Sequence, residues 1–334
     1  WLVVGSLFVW SAVTLAMGYA TSFNQLYYLR GIMGISEALY IPSALSLFAD
    51  WHEGKSRSLA IGIHMTGIYM GQAIGGFGAV VAALLSWKMA FHWFGIIGIV
   101  YALVLGLLLH EKPSHGQTLN IAAQKAAPKA NLLSGFGVVL SNWVFWVILF
   151  FFAVPSLPGW ATKNWLPTLF AQNLGIPMEE AGPISTITIA ASSFLGVILG
   201  GSLSDWWVKR HLKGRVYTSA IGLGMTIPAL VLLGYGHHLS AIVGAGLLFG
   251  VGYGMFDANN MPILCQFISA KQRATAYGIM NMTGVFAGAA VTQVFGKWTD
   301  GNQLGAGFAL LGGIVALALV AQLWFLKPKT DNME

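Results

Sequence analysis

The chain has 334 residues, of which 56% are apolar and only 8% charged. Soluble domains carry about a quarter charged residues, so this composition excludes an ordinary water-soluble globule. The net charge of +6 does not point to nucleic acid, because the basic residues sit in short loops between apolar runs. The single Cys265 lies in an apolar run, which excludes a disulfide framework and argues against a metal cluster. Aromatic residues make up 13%, with 13 Trp, as suits anchoring at two lipid–water boundaries.

A membrane-spanning helix needs about 20 mostly apolar residues. Ten such runs follow one another, at 1–21, 25–50, 57–85, 89–110, 138–171, 180–205, 215–236, 239–268, 272–298 and 304–326. They are too long and too irregular in alternation for barrel strands, so helices are the only structure that satisfies their backbone in lipid. The loops fix the direction. If 51–56, 111–137, 206–214, 269–271 and the tail 327–334 share one side, that side and its flanks hold 13 of the 17 basic residues. That side is cytoplasmic by the excess of Lys and Arg.

The longest polar stretch, His110 to Asn131, divides the runs into four and six. The expected organisation is an N-terminal half over 1–110, a central cytoplasmic loop over 111–137, a six-helix half over 138–326 and a tail over 327–334. The two halves are related. IHMTGIYMG at 63–71 matches MNMTGVFAG at 280–288, and Lys55 and Arg57 match Lys271 and Arg273. Glu37 precedes Pro42 as Asp257 precedes Pro262, five residues apart in both. A parallel repeat of this kind builds one large class of secondary transporters, with the substrate between the halves near the midplane. By the repeat offset, residue 1 corresponds to about residue 218. Two helices, on the order of 80 residues, are therefore expected ahead of this sequence in a twelve-helix parent.

Six plus six helices around a polar central loop resemble the major facilitator superfamily. GGSLSDWWVKR, following the run 180–205, resembles that family's G-x-L-[SA]-D-R-x-G-R-[RK] signature. Gly201, Leu203, Ser204 and Asp205 match, while Trp206 and Trp207 depart from it. The run 25–50 is similar to the fourth helix of the anion:cation symporter branch, R-x3-G-x2-E-A with a following proline. Arg30, Gly34, Glu37, Ala38 and Pro42 carry that likeness, and Trp165 to Thr168 (WLPT) adds to it. Spinster transporters share R-x3-G-x2-E-A without the proline. The resemblance implies an all-α membrane protein of the major-facilitator fold, with ten of twelve helices present in two pseudo-symmetric halves. It further implies a secondary transporter, coupled to protons, of a small organic anion such as a sugar acid or carboxylate; the residues leave Na⁺ as the ion and a neutral sugar as the solute open. A non-transporting sensor of a phosphosugar-like ligand and a Spinster-like lipid transporter are the alternatives. The expected setting is the bacterial inner membrane, as a monomer, with a small-molecule substrate, no nucleic-acid partner and no bound cofactor.

Ionisable groups at bilayer depth face a cavity or a partner. Arg30 and Glu37 are two helical turns apart on one face, with Gly34 between them leaving room for a close neighbour. The family resemblance makes Arg30 a coupling residue and Glu37 the proton carrier; a structural ion pair is the other reading. Asp257 is the repeat partner of Glu37, and Asn259 and Asn260 follow it. Asn both donates and accepts, which suits hydroxyls and carboxylates, though interhelical bonding would use it equally. Gly250, Gly252 and Gly254 are expected at close helix contacts, and Pro262 at a kink. His64, the partner of Asn281, is a proton relay or a His bonded to a carbonyl; Gln72 shares its facing. Pro155, Pro158 and Gly159 predict a broken or bent helix carrying Lys163. That lysine either attracts an anionic substrate or snorkels to the outer headgroups. The family resemblance assigns Asp205, with Lys209 and Arg210, to gating. No hydrolase, nucleotide-binding or zinc motif occurs, so no enzyme is expected.

Overall fold

The computed structural model describes residues 1–51, 55–109, 137, 139–269 and 272–328. The central loop, Lys271 and the end of the tail lie outside the described residues. The described chain is helical: α1 (Leu2–Met17), α2 (Phe23–Trp51), α3 (Lys55–Gly75), α4 (Gly78–Leu84), α5 (Trp87–Leu108), α6 (Trp143–Leu174), α7 (Met178–Val208), α8 (Gly214–Tyr235), α9 (Leu239–Asp257), α10 (Asn260–Phe267), α11 (Arg273–Asp300) and α12 (Leu304–Phe325). With α3 and α4 sharing one run and α9 and α10 another, these occupy the ten apolar runs. Eight stretches among the described residues are long and apolar enough to cross a membrane. The 16-residue α1 and α2 fill the other two runs.

Two compact units result, one of Trp1–Gly71 with Phe77–Ala126 and the other of Gln72–Gly76 with Ala127–Glu334. In the first, α1 packs on α2 and α5. Gly95 makes the seam possible, since a Cβ there would stand 2.6 Å from the Cα of Leu15. The run 1–21 and the next are separated by a cap. Gln25 Oε1 accepts from the Thr21 amide at 2.8 Å, and Ser22 Oγ accepts from the Gln25 amide at 3.4 Å. Such side-chain bonds satisfy the orphan amides of a helix start, here that of α2.

In the second unit α9 is clasped by α7 and α8. The glycines expected at close contacts are there. A Cβ on Gly254 would meet the Ser193 carbonyl and stand 2.8 Å from the Val197 amide nitrogen; one on Gly252 would lie 2.5 Å from the Gly222 carbonyl. From α7, Gly200 in turn lies against the Met255 backbone. Without side chains between them, the helices gain dispersion contact along their backbones, the main attraction available within lipid. α6 packs on α7, α11 and α12 around buried Phe145, Phe151, Phe170, Phe295 and Phe308.

Of the two readings for α6, broken or bent, the break is absent. The helix runs unbroken for 32 residues through Pro155, Pro158 and Pro167. Pro155, Pro158 and Gly159 are buried, so neighbouring helices hold the segment where missing amides would otherwise loosen it. Asn142 Oδ1 caps its start at the Val144 amide, 3.0 Å away, and Gly175 ends it at φ 64°, a left-handed conformation open to glycine. The predicted kink near Pro262 is a full break: Ala258 and Asn259 are turn residues between α9 and α10. Its repeat counterpart in α2, around Glu37, is continuous helix.

Candidate functional site

The break between α9 and α10 has a local cause. The Asn259 amide bonds to the Phe256 carbonyl at 3.1 Å, one residue short of the helical partner. The Met255 carbonyl so released accepts from Asn259 Nδ2 at 2.8 Å, and the same group reaches the Gly200 carbonyl of α7 at 3.4 Å. Pro262 has no amide to offer Ala258, so the next turn cannot re-form the lost bond. In α2 the position equivalent to Asn259 is Leu39, which has nothing with which to compete for a carbonyl. Asn259 is therefore fully buried and holds the break, which fits the interhelical bonding left open by the sequence rather than a contact with substrate.

The break presents Asp257. Its side chain is exposed, and Oδ1 accepts from Asn260 Nδ2 at 3.2 Å. One turn back, Tyr253 lies against Gly159 of α6, where an added Cβ would come within 2.5 Å of the phenol ring. Gly159 and Tyr253 both stand at the middle of their spans. One turn beyond Gly159 is Lys163, also exposed, with Nζ 5.1 Å from the centre of the Trp160 ring. No direct ion pair joins it to the Asp257 carboxylate among the described residues. Asn164 Nδ2 donates to Thr292 Oγ1 of α11 at 2.7 Å, and Trp160 packs on Gly288 of the same helix. Lys163, Asn164, Tyr253, Asp257 and Asn260 thus form one polar patch at mid-depth in the second unit. Exposed residues of α7, α8 and α12 are instead Ile187, Leu195, Ile221, Val231, Leu310 and Leu317, as a lipid-facing surface requires. Asn281 is exposed on α11 but shares no hydrogen bond with this patch.

In the first unit, Arg30 and Glu37 are both exposed on α2, and no ion pair joins them among the described residues. Gly34 has open space beside it rather than the close neighbour expected, since a Cβ there would meet nothing within 4 Å. His64 is partly buried, its ring 5.8 Å from that of Tyr40, which itself stands 6.2 Å from Trp10. Tyr40 lies one turn after Glu37, so it connects the acid's face of α2 to His64. Gln72, on α3 but in the second unit, is partly buried.

At the end of α7, Asp205 pairs with Arg215 at 3.2 Å rather than with Lys209 or Arg210. Arg210 lies over the Trp206 ring at 4.2 Å. Arg215 is buried and Asp205 exposed, so the acid meets a cation fixed at the base of α8. Tyr40, Tyr253, Asn164, Thr292 and Arg215 had no place in the sequence-based site. Asn164 had a signal, a second strongly polar residue beside Lys163 in an apolar run, whereas the tyrosines look like ordinary aromatics.

Known proteins agree with this architecture. The probable galactarate/D-glucarate transporter GarP of Escherichia coli (strain K12) is 24% identical over 96% of this chain and 78% of its own length. The galacturonate transporter of Dickeya chrysanthemi is 30% identical over 68% of each chain. A crystal structure of a bacterial homolog of the human lysosomal transporter Spinster, inward-facing and occupied, matches in fold. Its TM-score is 0.73 at 19% identity, over 97% of this chain and 81% of that one. The model of the Major Facilitator Superfamily matches residues 1–292. The chain belongs to the Major Facilitator Superfamily and is a multi-pass membrane transporter rather than an enzyme.

Proposed function

We propose that this transporter carries a small sugar acid by proton-coupled symport, by alternating access of its two halves in a bacterial inner membrane. The observation that carries the reading is the polar patch at mid-depth in the second unit, where a free ammonium stands near hydrogen-bonding groups suited to hydroxyls. An anion with several hydroxyls is the solute that uses both. Relatives that transport galactarate, glucarate or galacturonate support the same class. Glu37 is the proton carrier in this scheme. It is exposed on α2, unpaired with Arg30, and its protonation removes a charge that would otherwise have to cross the membrane core with the substrate. Arg30 holds the substrate-loaded state electrostatically, and His64 supplies a relay through the Tyr40 face.

The test is uptake of labelled galacturonate into proteoliposomes under imposed gradients. Accumulation driven by an inward proton gradient is expected, with Glu37→Gln abolishing accumulation while counterflow exchange partly survives. Accumulation driven only by Na⁺ would replace the proton in this scheme. Binding without accumulation under either gradient would overturn transport in favour of a sensor.

A further inference from the structure

The second unit contributes, among its described residues, a single cation and a single carboxylate at this depth. Among its described residues, the other Lys and Arg side chains belong to the ends of the spans: Lys209, Arg210, Lys213, Arg215, Arg273, Lys297 and Lys327. Lys163 and Asp257 are held in place by the Gly159–Tyr253 contact, one turn to either side of it on helices that run in opposite directions. Four residues of helix rise about 6 Å, so their Cα atoms are offset by roughly 12 Å along the bilayer normal. That offset keeps the two charges from pairing directly.

The two ends of this interval differ in chemistry. Lys163 offers only donors. Asp257 offers acceptors: Oδ1 is engaged by Asn260, and Oδ2 has no hydrogen donor among the described residues. Asn260, nine-tenths buried, has a carboxamide oxygen with no donor either. The open Asp257 Oδ2 matches a donor of the ligand, and a hydroxyl is the donor a sugar carries. A second carboxylate arriving there would face the Asp257 carboxylate, with no cation among the described residues of this unit beside it to receive it.

We infer that the second unit selects a sugar acid with one carboxylate, binding that group at Lys163 and a hydroxyl of the opposite end at Asp257 and Asn260. A uronate or aldonate satisfies both ends, whereas an aldarate, with a carboxylate at each end, satisfies one. The inference rests on the sugar-acid function proposed above and divides a class that its relatives span, since they include both galacturonate and galactarate transporters.

The experiment is titration of the purified full chain with galacturonate, galactarate and the neutral methyl ester of galacturonate. Galacturonate should bind at least about tenfold more tightly than either, since each rival loses a charged contact or gains a repulsive one. Asp257→Asn should narrow the gap between galacturonate and galactarate to about threefold or less, while Lys163→Gln should weaken galacturonate by about tenfold or more. The wild-type ligand series decides the matter even if a variant fails to fold. Galactarate binding as tightly as galacturonate would overturn the inference and leave the sugar-acid function standing. Binding of neither acid would overturn both.

Discussion

Gly254 is one turn before the break at Asp257, and its replacement by alanine is a measurable test of how the site is held. A Cβ there would meet the Ser193 carbonyl and stand 2.8 Å from the Val197 nitrogen and 3.0 Å from the Gly196 carbonyl carbon. All three are backbone atoms, so no rotamer change relieves the contact. An ordinary contact begins near 3.4 Å, so α7 and α9 must part by about 0.6 Å at Val197 and by more at Ser193. Overpacking of this kind costs typically about 1–3 kcal/mol. At about 1.4 kcal/mol per tenfold, that shifts the folding equilibrium by roughly 5- to 150-fold. Gly244, on the same helix, has nothing within 4 Å and serves as the control. Thermal unfolding in detergent, followed by tryptophan fluorescence, should give a lower midpoint for Gly254→Ala than for Gly244→Ala. Sugar-acid binding should fall in the first and not in the second, because α9 carries Asp257. Equal midpoints for the two variants would refute the packing argument.

Asn259→Leu removes the carboxamide that captures the Met255 carbonyl; the variant should remain folded in detergent yet lose sugar-acid uptake, whereas unchanged uptake would show that the break is dispensable. Asp205→Asn should shift the transporter toward its inward-open state, read as increased labelling of engineered cysteines on the cytoplasmic side in a Cys265→Ser background. An unchanged labelling pattern would remove Asp205 from gating. Asn164 and Thr292 in a double-mutant cycle to alanine should couple by about 0.5–1.5 kcal/mol in thermal stability, the worth of one hydrogen bond. Strict additivity would mean that the 2.7 Å bond contributes nothing.

Much of the fold is legible because lipid leaves a chain few options. Each apolar run must be a helix, and the basic loops give the direction. The repeat placed Asp257 opposite Glu37 in sequence, and the glycines before it are where backbones touch. Side-chain competition for carbonyls was harder to read. Pro262 announced a kink, but Asn259 decides where the helix opens, and its role depends on the Gly200 carbonyl of another helix. The prolines of α6 pointed to a helix broken or bent; that it stays continuous was hidden, because their burial beside α11 and α9 has no trace in local sequence. The partner of Asp205 was similarly hidden. Arg215 lies across a turn, ten residues on, whereas the nearer Arg210 turned to Trp206. Lys163 was visible as an ionisable residue in an apolar run, but its neighbours Tyr253 and Thr292 come from helices far along the chain.

The unbroken length of α6 has a consequence for the membrane itself. Thirty-two residues of helix rise about 48 Å, and the 31 residues of α7 about 46 Å, against a hydrocarbon core of about 30 Å. A tilt within the usual range absorbs only part of the difference. The excess must lie beyond the hydrocarbon at one end or both, and the hairpin at Gly175–Pro177, with exposed Glu179 and Glu180 behind it, forms an acidic spur at one of them. Anions approaching from that side meet its negative charge first, so added salt should speed their entry. A thicker bilayer would cover more of the spur, making the host membrane a determinant of how readily the carrier is reached.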